Sequence, residues 1–572
     1  MSSTTETAFS FVRSTAQGSG GAVAGKMPAA VDAGIEILQA GGNAFDAAVA
    51  TAFAMGVAEP WMNGIGGGGF LVGWLAKEQR AFTIEYPMIS PSGASEDMFP
   101  LDEGVDTGLF GWPRTVGNAN VFGYRSVAVP GTVAGLCLAH ERYGTLPLEH
   151  VMAPAIRLAE EGVDVSWHTT LMLAKDLGTL QRFPETAAIY LDAKGNPPFV
   201  AEGLPTPRIK NLQLGKTLRA IAEHGPSAFY QGARAEQMAS FLSAGGSPIS
   251  PDDFESYEAC EEPGISIDIH GHTVHTVGNG SGGTSLVEAL GILKHLDPGA
   301  DGQNSPMALH KMVHAFRQAF ADRFTYLADP ACVDVPIATL LDDTYHQERA
   351  ARFSPETIAQ TEAGARSRLG VTHDLAASVP EYMRDGSTTH LGVVDADGNA
   401  VSITQTLLSL WGSRVTDPET GVLFNNGMMW FDPEPGRPNS VGGRKRPLSN
   451  MAPAILSRDG HLVATVGSSG GRKIMNCNAQ ILLNLAIWGM TMGEALAAPR
   501  LDTSTSRLTV SMRMDPATVE GLRTLGHPVE LVDETLLAGG FASPVGIACG
   551  ADGVLKAAAD AWYFPATAKV LP

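Results

Sequence analysis

The chain has 572 residues, of which 44% are hydrophobic and 17% are charged. This balance is typical of folded globular proteins and far from the disordered and membrane classes. The formal net charge is −21 and no run of lysine and arginine offsets it, which argues against a nucleic-acid partner because phosphate binding needs a basic surface. The most apolar stretch, residues 44–61, is interrupted by Asp46 and Glu59, so we expect no membrane span and no membrane partner.

The N-terminal residues and the cysteines both bear on the cellular compartment. Residues 1–21 contain neither the charged nor the apolar region of a signal peptide, and we expect a short disordered leader there. The five cysteines are scattered and never form a Cys-x-x-Cys pair, which argues against a disulfide framework and a structural zinc site. These features predict a cytoplasmic protein.

Helical and strand-like segments interleave from the start of the chain. Pro28 opens an alanine-rich helix that ends at the glycine pair 41–42, and Asn43, with Asp46 three residues later, is the expected N-cap of a second helix. Further along we expect, in chain order, a glycine-rich turn over 64–69, a strand over about 70–76, a helix over about 147–161 and an alternating strand over 265–277.

The C-terminal third differs in character from the rest of the chain. Strand patterns dominate it, at residues 391–394, 400–405, 453–457 and 461–467, whereas most of the first two-thirds is helical. Two architectures explain this contrast. One is a pair of domains, and the other is a layered αββα sandwich whose strands come from both parts of the chain.

The stretch DGSTTHLGVVDADGNAVSITQT, residues 385–406, predicts a β-hairpin. The pair Asp397-Gly398 is a strong hairpin turn, because glycine supplies the positive φ that the turn needs without steric cost. A turn centred on this pair brings Thr388, at the start of the first strand, opposite residues near 405 to 407 at the end of the second, and so beside Thr406.

Two interpretations fit a threonine in this place. Cross-strand threonine pairs are common packing in sheets. However, Thr388 follows the small Gly386-Ser387 step, and this arrangement also suits an N-terminal nucleophile, whose freed α-amine can act as the general base for its own hydroxyl once the preceding peptide bond is cut.

Three other features of the sequence bear on cofactor or metal binding. The run GNGSGG at 278–283 has the outline of a dinucleotide fingerprint, but the helix predicted directly after it leaves no room for the second strand. His270, His272 and His275 lack a nearby cysteine or carboxylate set, so exposed strand positions explain them better than a metal. His390 is interpreted as structural. We therefore predict no cofactor and no metal.

A resemblance to a known family rests on many motifs in the same order. In the last third these are STTHLGVVDADGNAVSITQTLLSLWGS, TGVLFNNGMMWF, RKRPLSNMAPAIL and VGSSGGRKI, and upstream they include AGIEILQAGGNAFDAAVATAFAMGVAEP, GIGGGGF, VAVPGTVAGL and GSGGTSLVEALGIL. Together they resemble the γ-glutamyltransferase (glutathione hydrolase) family of N-terminal nucleophile hydrolases, from about residue 20 to about residue 565.

This resemblance implies an α/β fold, the αββα four-layer sandwich of that superfamily, made as a precursor that cleaves itself between Ser387 and Thr388. Residues 1–387 are then the α-rich large subunit and residues 388–572 the β-rich catalytic small subunit, together one structural unit. The Thr388 hydroxyl attacks a substrate amide, and water or an amine resolves the acyl-enzyme.

Supporting roles also follow from the resemblance. Thr406 matches the family threonine that hydrogen-bonds the nucleophile. Gly470 and Gly471 match the pair whose backbone N–H groups stabilise the oxyanion, where one preorganised donor contributes roughly 3 kcal/mol.

The resemblance fails in the pocket that grips the glutamyl group. In chain order, this sequence has Pro87 for an arginine, Leu408 for an asparagine, Gly427 for a glutamine, Trp430 for an aspartate and Asn450 for a serine, while Ser449 is retained. The loss of the arginine and the aspartate removes both charge partners of an amino-acid head group, each contributing about 1.5 to 3 kcal/mol. Arg414 and Arg472 are candidates for a new carboxylate clamp.

The resulting hypothesis is an autoprocessing amidohydrolase that acts on a small-molecule amide. The family favours γ-glutamyl amides, with hydrolysis and transpeptidation both open. The changed pocket favours an alternative, an acylase-like or oxamate-amidase-like hydrolase of a non-glutamyl amide. A further alternative is an uncleaved, non-catalytic binding protein. A higher oligomer of the two subunits is left open.

Overall fold

A computed structural model describes residues 13–105, 111–369, 387–534 and 540–572. Most of the expected leader, residues 1–12, lies outside the described residues, as does Gly386. The last part of the expected leader is ordered, because Ala16–Gly18 forms a strand at the edge of a sheet.

The described residues form strands and helices throughout. The strands are β1 (Ala16–Gly18), β2 (Ala22–Gly25), β3 (Gly68–Leu75), β4 (Arg80–Tyr86), β5 (Leu101–Val105), β6 (Pro113–Thr115), β7 (Val163–Asp164), β8 (Arg208–Ile209), β9 (Cys260–Glu262), β10 (Ile265–Ile269), β11 (His272–Thr276), β12 (Thr389–Val394), β13 (Ala400–Thr406), β14 (Ala454–Arg458), β15 (His461–Ser469), β16 (Leu501–Asp502), β17 (Leu508–Ser511), β18 (Val529–Val532), β19 (Ser543–Cys549), β20 (Leu555–Ala559) and β21 (Thr567–Val570). The α-helices are α1 (Pro28–Gln39), α2 (Ala44–Ala58), α3 (Thr132–Tyr143), α4 (Leu148–Glu161), α5 (Trp167–Lys175), α6 (Leu177–Leu180), α7 (Pro184–Tyr190), α8 (Leu212–His224), α9 (Ser227–Tyr230), α10 (Gly232–Ala244), α11 (Pro251–Glu255), α12 (Gly282–Leu296), α13 (Pro306–Tyr326), α14 (Ile337–Leu340), α15 (Asp343–Ala350), α16 (Arg366–Leu369), α17 (Lys473–Ala486), α18 (Met492–Ala497) and α19 (Pro516–Thr524).

Two seven-stranded antiparallel sheets form the centre of the molecule. The first has the order β21-β2-β12-β13-β3-β4-β9, and the second has the order β1-β20-β19-β15-β14-β11-β10. Each sheet contains strands from both sides of the Ser387–Thr388 bond. The layered sandwich is therefore the correct architecture, and the alternative of two separate domains is wrong.

Helices cover the outer faces of both sheets. Strands β12 and β13 pack face to face against β15, while α2 packs on the opposite side of β12 and β13 and α17 packs on β15. The order of layers is thus helix, sheet, sheet, helix, which confirms the predicted αββα sandwich. Helix α2 is buried on nearly all sides, and its many alanines allow this close packing because they add little bulk and cost no side-chain entropy.

Local predictions in the first half hold with two corrections. The glycine-rich turn expected over 64–69 is shorter, because Gly68 and Gly69 belong to β3. Asn43 caps α2, its side chain accepting from the amides of Phe45 and Asp46, and the Asp46 carboxylate accepts from the Asn43 amide, so the predicted capping box is present. The alternating segment 265–277 is not one strand but the hairpin β10–β11. It turns at His270 and Gly271, whose φ values of 47° and 73° lie in the left-handed region.

Candidate active site

The hairpin β12–β13 lies in the middle of its sheet, between β2 and β3. Thr389 pairs with Gln405 and Val394 with Ala400, so continuing the register by one residue places Thr388 opposite Thr406. This confirms the cross-strand arrangement predicted from the turn. Both threonines are buried, with 5% and 1% of their surface exposed.

Two hydroxyl groups meet at the carbonyl oxygen of Ser387. The Thr406 hydroxyl donates to this oxygen at 2.6 Å, and the Thr388 hydroxyl donates to it at 2.7 Å. Thr406 Oγ1 also accepts from the backbone N–H of Leu408 at 2.8 Å, which fixes its orientation. In the uncut chain, therefore, Thr406 binds the carbonyl that precedes Thr388. Such hydrogen bonds draw electron density from the carbonyl carbon and stabilise negative charge that develops on its oxygen.

Contacts between the stacked sheets indicate which part of β15 faces the start of β12. A Cβ added to Gly392 would lie 2.6 Å from Thr465 Oγ1, and one added to Gly467 would lie 2.1 Å from the His390 ring. A step of two residues back along β12, from Gly392 to His390, thus corresponds to a step of two residues forward along β15, from Thr465 to Gly467. The same progression puts Thr388 level with Ser469, the residue before Gly470.

The glycine pair adopts a conformation that only glycine takes readily. Gly470 and Gly471 have φ values of 148° and 59°, and they connect β15 to α17. A Cβ on Gly470 would lie 2.8 Å from the Cα of Ala542. Side chains are therefore excluded from this turn, and its backbone can approach a bound molecule closely.

His390 is a buried structural residue, as expected. Its Nδ1 lies 2.8 Å from the Thr404 hydroxyl, and its ring packs against Gly467. Burial lowers the pKa of His390 to about 3, so the imidazole is neutral near pH 7.

Short hydrogen bonds link the predicted pocket residues to the end of β13. The Asn426 amide donates to the Leu407 carbonyl at 3.1 Å, and the Asn426 side chain donates to Ser409 at 2.7 Å. The segment that contains Leu408 is thereby tied to the 3-10 helix Gly427–Trp430. The first residue of this helix also meets the Pro87 segment, because a Cβ on Gly427 would lie 3.1 Å from the Cβ of Met88.

A second link reaches Ser449 and Asn450. The Asn439 side chain donates to the Trp430 carbonyl at 2.7 Å and accepts from the Leu448 amide at 3.0 Å. These contacts connect the segments that carry the predicted pocket positions, which are Pro87, Leu408, Gly427, Trp430, Ser449 and Asn450. Leu408, Trp430, Ser449 and Asn450 are 2% to 5% exposed in the uncut chain.

Two donors in this group have no acceptor among the described residues. They are the indole N–H of Trp430 and the side-chain NH₂ of Asn450. The other half of the Asn450 amide is occupied, because its oxygen accepts from Arg323 at 2.9 Å. Buried donors without partners are costly in a native protein, so these two N–H groups are suited to an acceptor that arrives with a ligand.

The two arginines considered for a carboxylate clamp are already engaged. Arg414 pairs with Asp176 at 2.7 Å and lies over the Phe122 ring at 4.6 Å. Arg472 is 1% exposed, and its guanidinium lies 4.1 Å over the ring of Phe324. The charge of Arg414 is therefore neutralised by Asp176, and the clamp hypothesis receives no support at this residue.

Sequence reasoning missed a cluster of buried charged groups beside the hairpin. Glu59 accepts from the Thr389 hydroxyl at 2.6 Å and from the Tyr563 hydroxyl at 2.5 Å. Lys26 donates to the carbonyl and the hydroxyl of Ser543, which pairs with Ser469 across β15 and β19. The one available signal was that Glu59 interrupts the most apolar stretch of the chain.

Within residues 13–105, 111–369, 387–534 and 540–572, no group of three His, Cys, Asp or Glu side chains is arranged to hold a metal ion. The same ranges contain no helix that is both long and apolar enough to cross a membrane.

Comparisons with known proteins agree with the geometry. The family model for gamma-glutamyltranspeptidase matches residues 30–564. The acylase ACY 1 proenzyme of Pseudomonas sp. (strain V22) is 36% identical over 554 residues, covering 96% of this chain and 94% of the relative. The glutathione hydrolase proenzyme of Pseudomonas sp. (strain A14) is 34% identical over 485 residues, covering 82% of this chain and 78% of the relative.

A solved structure extends the likeness to three dimensions. The cephalosporin acylase from Bacillus halodurans superposes with a TM-score of 0.83 at 26% identity, covering 100% of this chain and 99% of that one. The chain therefore belongs to the γ-glutamyltranspeptidase family and is an autoprocessing amidohydrolase of the N-terminal nucleophile type.

Proposed function

We propose that the chain cleaves itself between Ser387 and Thr388 and that Thr388 is the nucleophile of the mature enzyme. The observation that carries this proposal is the meeting of the Thr388 and Thr406 hydroxyls at the Ser387 carbonyl, at 2.7 and 2.6 Å. The products are a large subunit, residues 1–387, and a small subunit, residues 388–572.

The cleavage chemistry follows from these contacts. Thr388 Oγ attacks the Ser387 carbonyl carbon, and the Thr406 hydroxyl stabilises the charge that forms on the oxygen. As the C–N bond breaks, the hydroxyl proton passes to the Thr388 nitrogen and an ester remains. Water then hydrolyses the ester, leaving a carboxylate on Ser387 and a free α-amine on Thr388.

Substrate turnover uses the same hydroxyl. The α-amine takes the proton from Thr388 Oγ as it attacks the substrate amide carbonyl. The backbone N–H groups of Gly470 and Gly471 stabilise the tetrahedral oxyanion. The amine product leaves, and water or a second amine releases the acyl group from Thr388.

The acyl group is the part of the substrate that the pocket must select. Relatives named glutathione hydrolase, such as the one 34% identical over 485 residues, support a γ-glutamyl group as the first candidate. The pocket itself supports a second candidate, an acyl group without an amino-acid head, because Pro87, Gly427 and Trp430 provide no charge for an ammonium or a carboxylate.

The two N–H donors without acceptors restrict which acyl groups fit the second candidate. The Trp430 indole N–H and the Asn450 NH₂ both require acceptors, and neither can receive a hydrogen bond from an ammonium group. An acyl chain that ends in oxygen acceptors satisfies both donors, and the buried Met428 and Met429 suit its methylene groups.

A denaturing gel tests the cleavage. The 60.0 kDa chain should yield pieces of about 40 and 20 kDa, in proportion to the subunit lengths, and the smaller should begin Thr-Thr-His-Leu. A Thr388→Ala variant should stay whole. A single wild-type band at full length would contradict the proposal and favour an uncut binding protein.

A substrate panel tests the acyl group. Anilides of γ-glutamyl, glutaryl, oxamyl and plain aliphatic acids should be compared by kcat/KM in the wild type and in Trp430→Phe, which keeps an aromatic ring and removes the N–H. A preference for the γ-glutamyl compound supports the first candidate. A preference for glutaryl or oxamyl compounds that Trp430→Phe selectively weakens supports the second.

A further inference from the structure

Glu59 is a buried carboxylate beside the scissile bond that the chemistry above does not use. It follows the last residue of α2 and is 0% exposed. Its two oxygens accept hydrogen bonds from Thr389 at 2.6 Å and from Tyr563 at 2.5 Å. Burying a carboxylate costs several kcal/mol unless it is well paired, so these contacts offset only part of a large penalty.

The segment that begins with Glu59 holds both neighbours of Thr388. Two residues after Glu59, the Trp61 carbonyl accepts from the Ser387 hydroxyl at 3.0 Å. Ser387 is thus held on one side of Thr388 and Thr389 on the other. Tyr563 braces this segment, because it donates to Glu59 and accepts from the Trp61 indole N–H at 3.2 Å.

This arrangement bears directly on self-cleavage. The reaction needs Thr388 Oγ to approach the carbonyl carbon of its own preceding residue, and small displacements of reacting atoms cost large factors in rate. Thr406 fixes the carbonyl oxygen, but it does not hold the chain that follows the nucleophile. The Glu59–Thr389 contact does.

We propose that Glu59 is a positioning residue for self-cleavage: its carboxylate holds the Thr389 hydroxyl and thereby fixes the Ser387–Thr388 peptide in the reactive geometry, with Tyr563 as its brace. The inference rests on the proposed cleavage at Thr388. It assigns no contact between Glu59 and the reacting atoms themselves.

The surroundings of Glu59 predict a pH dependence for cleavage. Burial raises the pKa of Glu59 to about 7, against the lowering effects of Thr389, Tyr563 and Lys26. As pH falls through 7 the carboxylate gains a proton, and one of its two accepting oxygens becomes a donor. The rate of self-cleavage should therefore rise with pH through about 7.

Other charged or titratable groups also pack around this site. Burial lowers the pKa of His168, whose ring lies 4.9 Å from the Tyr563 ring, to about 4, and burial lowers the pKa of Lys26 to about 8. The remaining neighbours are Arg13, Asp560 and Cys477, whose charges act on Lys26, and His390, whose pKa the charge of Lys26 lowers. A rise in cleavage rate near pH 7 is assigned to Glu59 by its loss in Glu59→Gln.

The test follows the cleavage of full-length chain made by cell-free translation and shifted to buffers between pH 5.5 and 9. Glu59→Gln should cleave about 10- to 100-fold more slowly at pH 8, and its cleavage rate should lack the rise with pH through about 7. Thr389→Val should slow cleavage similarly, and combining the two changes should add little. Thr389→Ser, which restores the hydroxyl, should recover most of the rate.

A matched control separates positioning from a general effect on folding. Glu534 is also buried and accepts a hydroxyl hydrogen bond at 2.6 Å, from Ser511. Glu534→Gln should cleave at the wild-type rate, and its cleavage rate should still rise with pH through about 7. Thr389→Val probes the same contact from its other partner if Glu59→Gln does not fold.

The outcomes distinguish this inference from the proposed function. Wild-type cleavage at Thr388 that is unchanged in Glu59→Gln, or effects of Glu59→Gln and Thr389→Val that simply add, would overturn the inference alone. A wild-type chain that stays whole would overturn the cleavage proposal and the inference together.

Discussion

The Thr406 hydroxyl offers the sharpest test of the site. In Thr406→Val the side chain keeps its shape, but the donor to the Ser387 carbonyl at 2.6 Å and the acceptor for the Leu408 amide at 2.8 Å are lost. Removing one oxyanion donor costs about 10² to 10³ in rate, or about 2.7 to 4 kcal/mol in barrier height. We expect self-cleavage at least about 100-fold slower, with about 1 to 3 kcal/mol lost in stability from the unpaired amide.

The assay measures the rate at which the small subunit appears after cell-free translation. Thr404→Val is the matched control, because Thr404 lies two residues earlier on the same strand face and its hydroxyl contacts His390 at 2.8 Å. This variant should lose stability but keep the cleavage rate. Thr406→Ser should restore cleavage. If Thr406→Val cleaves as fast as the wild type, the carbonyl contact has no role in the reaction and our account of the cut is refuted.

Three further predictions address the glycine turn, the buried lysine and the helix cap. Gly470→Ala should lower amidase kcat by about 100-fold or more, because the new Cβ lies 2.8 Å from the Ala542 Cα; Gly178→Ala, whose Cβ would meet open space, should retain full activity. Burial lowers the pKa of Lys26 from 10.5 to about 8, so the folded chain binds fewer protons than the unfolded chain between these values. Its stability should rise over that pH window by up to about 3 kcal/mol relative to Lys26→Met, as measured by urea unfolding of uncut protein. Asn43→Ala removes a capping box and should lower stability by about 1 to 2 kcal/mol in thermal melts, while an altered cleavage rate would contradict a purely structural role for this residue.

Features set by neighbouring residues were predictable from the sequence. The Asp397-Gly398 turn was sufficient to locate the hairpin and to place Thr388 opposite residues 405 to 407. The observed pairs, Thr389 with Gln405 and Val394 with Ala400, centre the hairpin on Asp397 and fix the register. The Glu59 cluster was not predictable in the same way. Glu59 is 330 residues from Thr389 and 504 residues from Tyr563, and no local pattern joins positions so far apart.

The pocket residues also divide into features that were predictable from the sequence and features that were not. Sequence comparison within the family located Trp430 and Asn450, but only the structure shows that their N–H groups lack acceptors. Arg414 illustrates the reverse case, because its ion pair with Asp176, 238 residues away, removes the free charge that the sequence alone left open. Which polar groups are satisfied depends on tertiary contacts, so residue identity does not determine it.

Both sheets take strands from either side of the Ser387–Thr388 bond, and this changes how the protein can refold once the chain is cut. The hairpin β12–β13 is inserted between β2 and β3, and β21 closes the same sheet against β2, so neither of the proposed subunits contains a complete sheet. Before the cut, folding is a first-order process of one chain. Afterwards, recovery from full unfolding becomes a bimolecular encounter whose rate depends on protein concentration. After self-cleavage an unfolded molecule must reassemble from two chains. The working lifetime of the enzyme is therefore governed by the rate at which it unfolds.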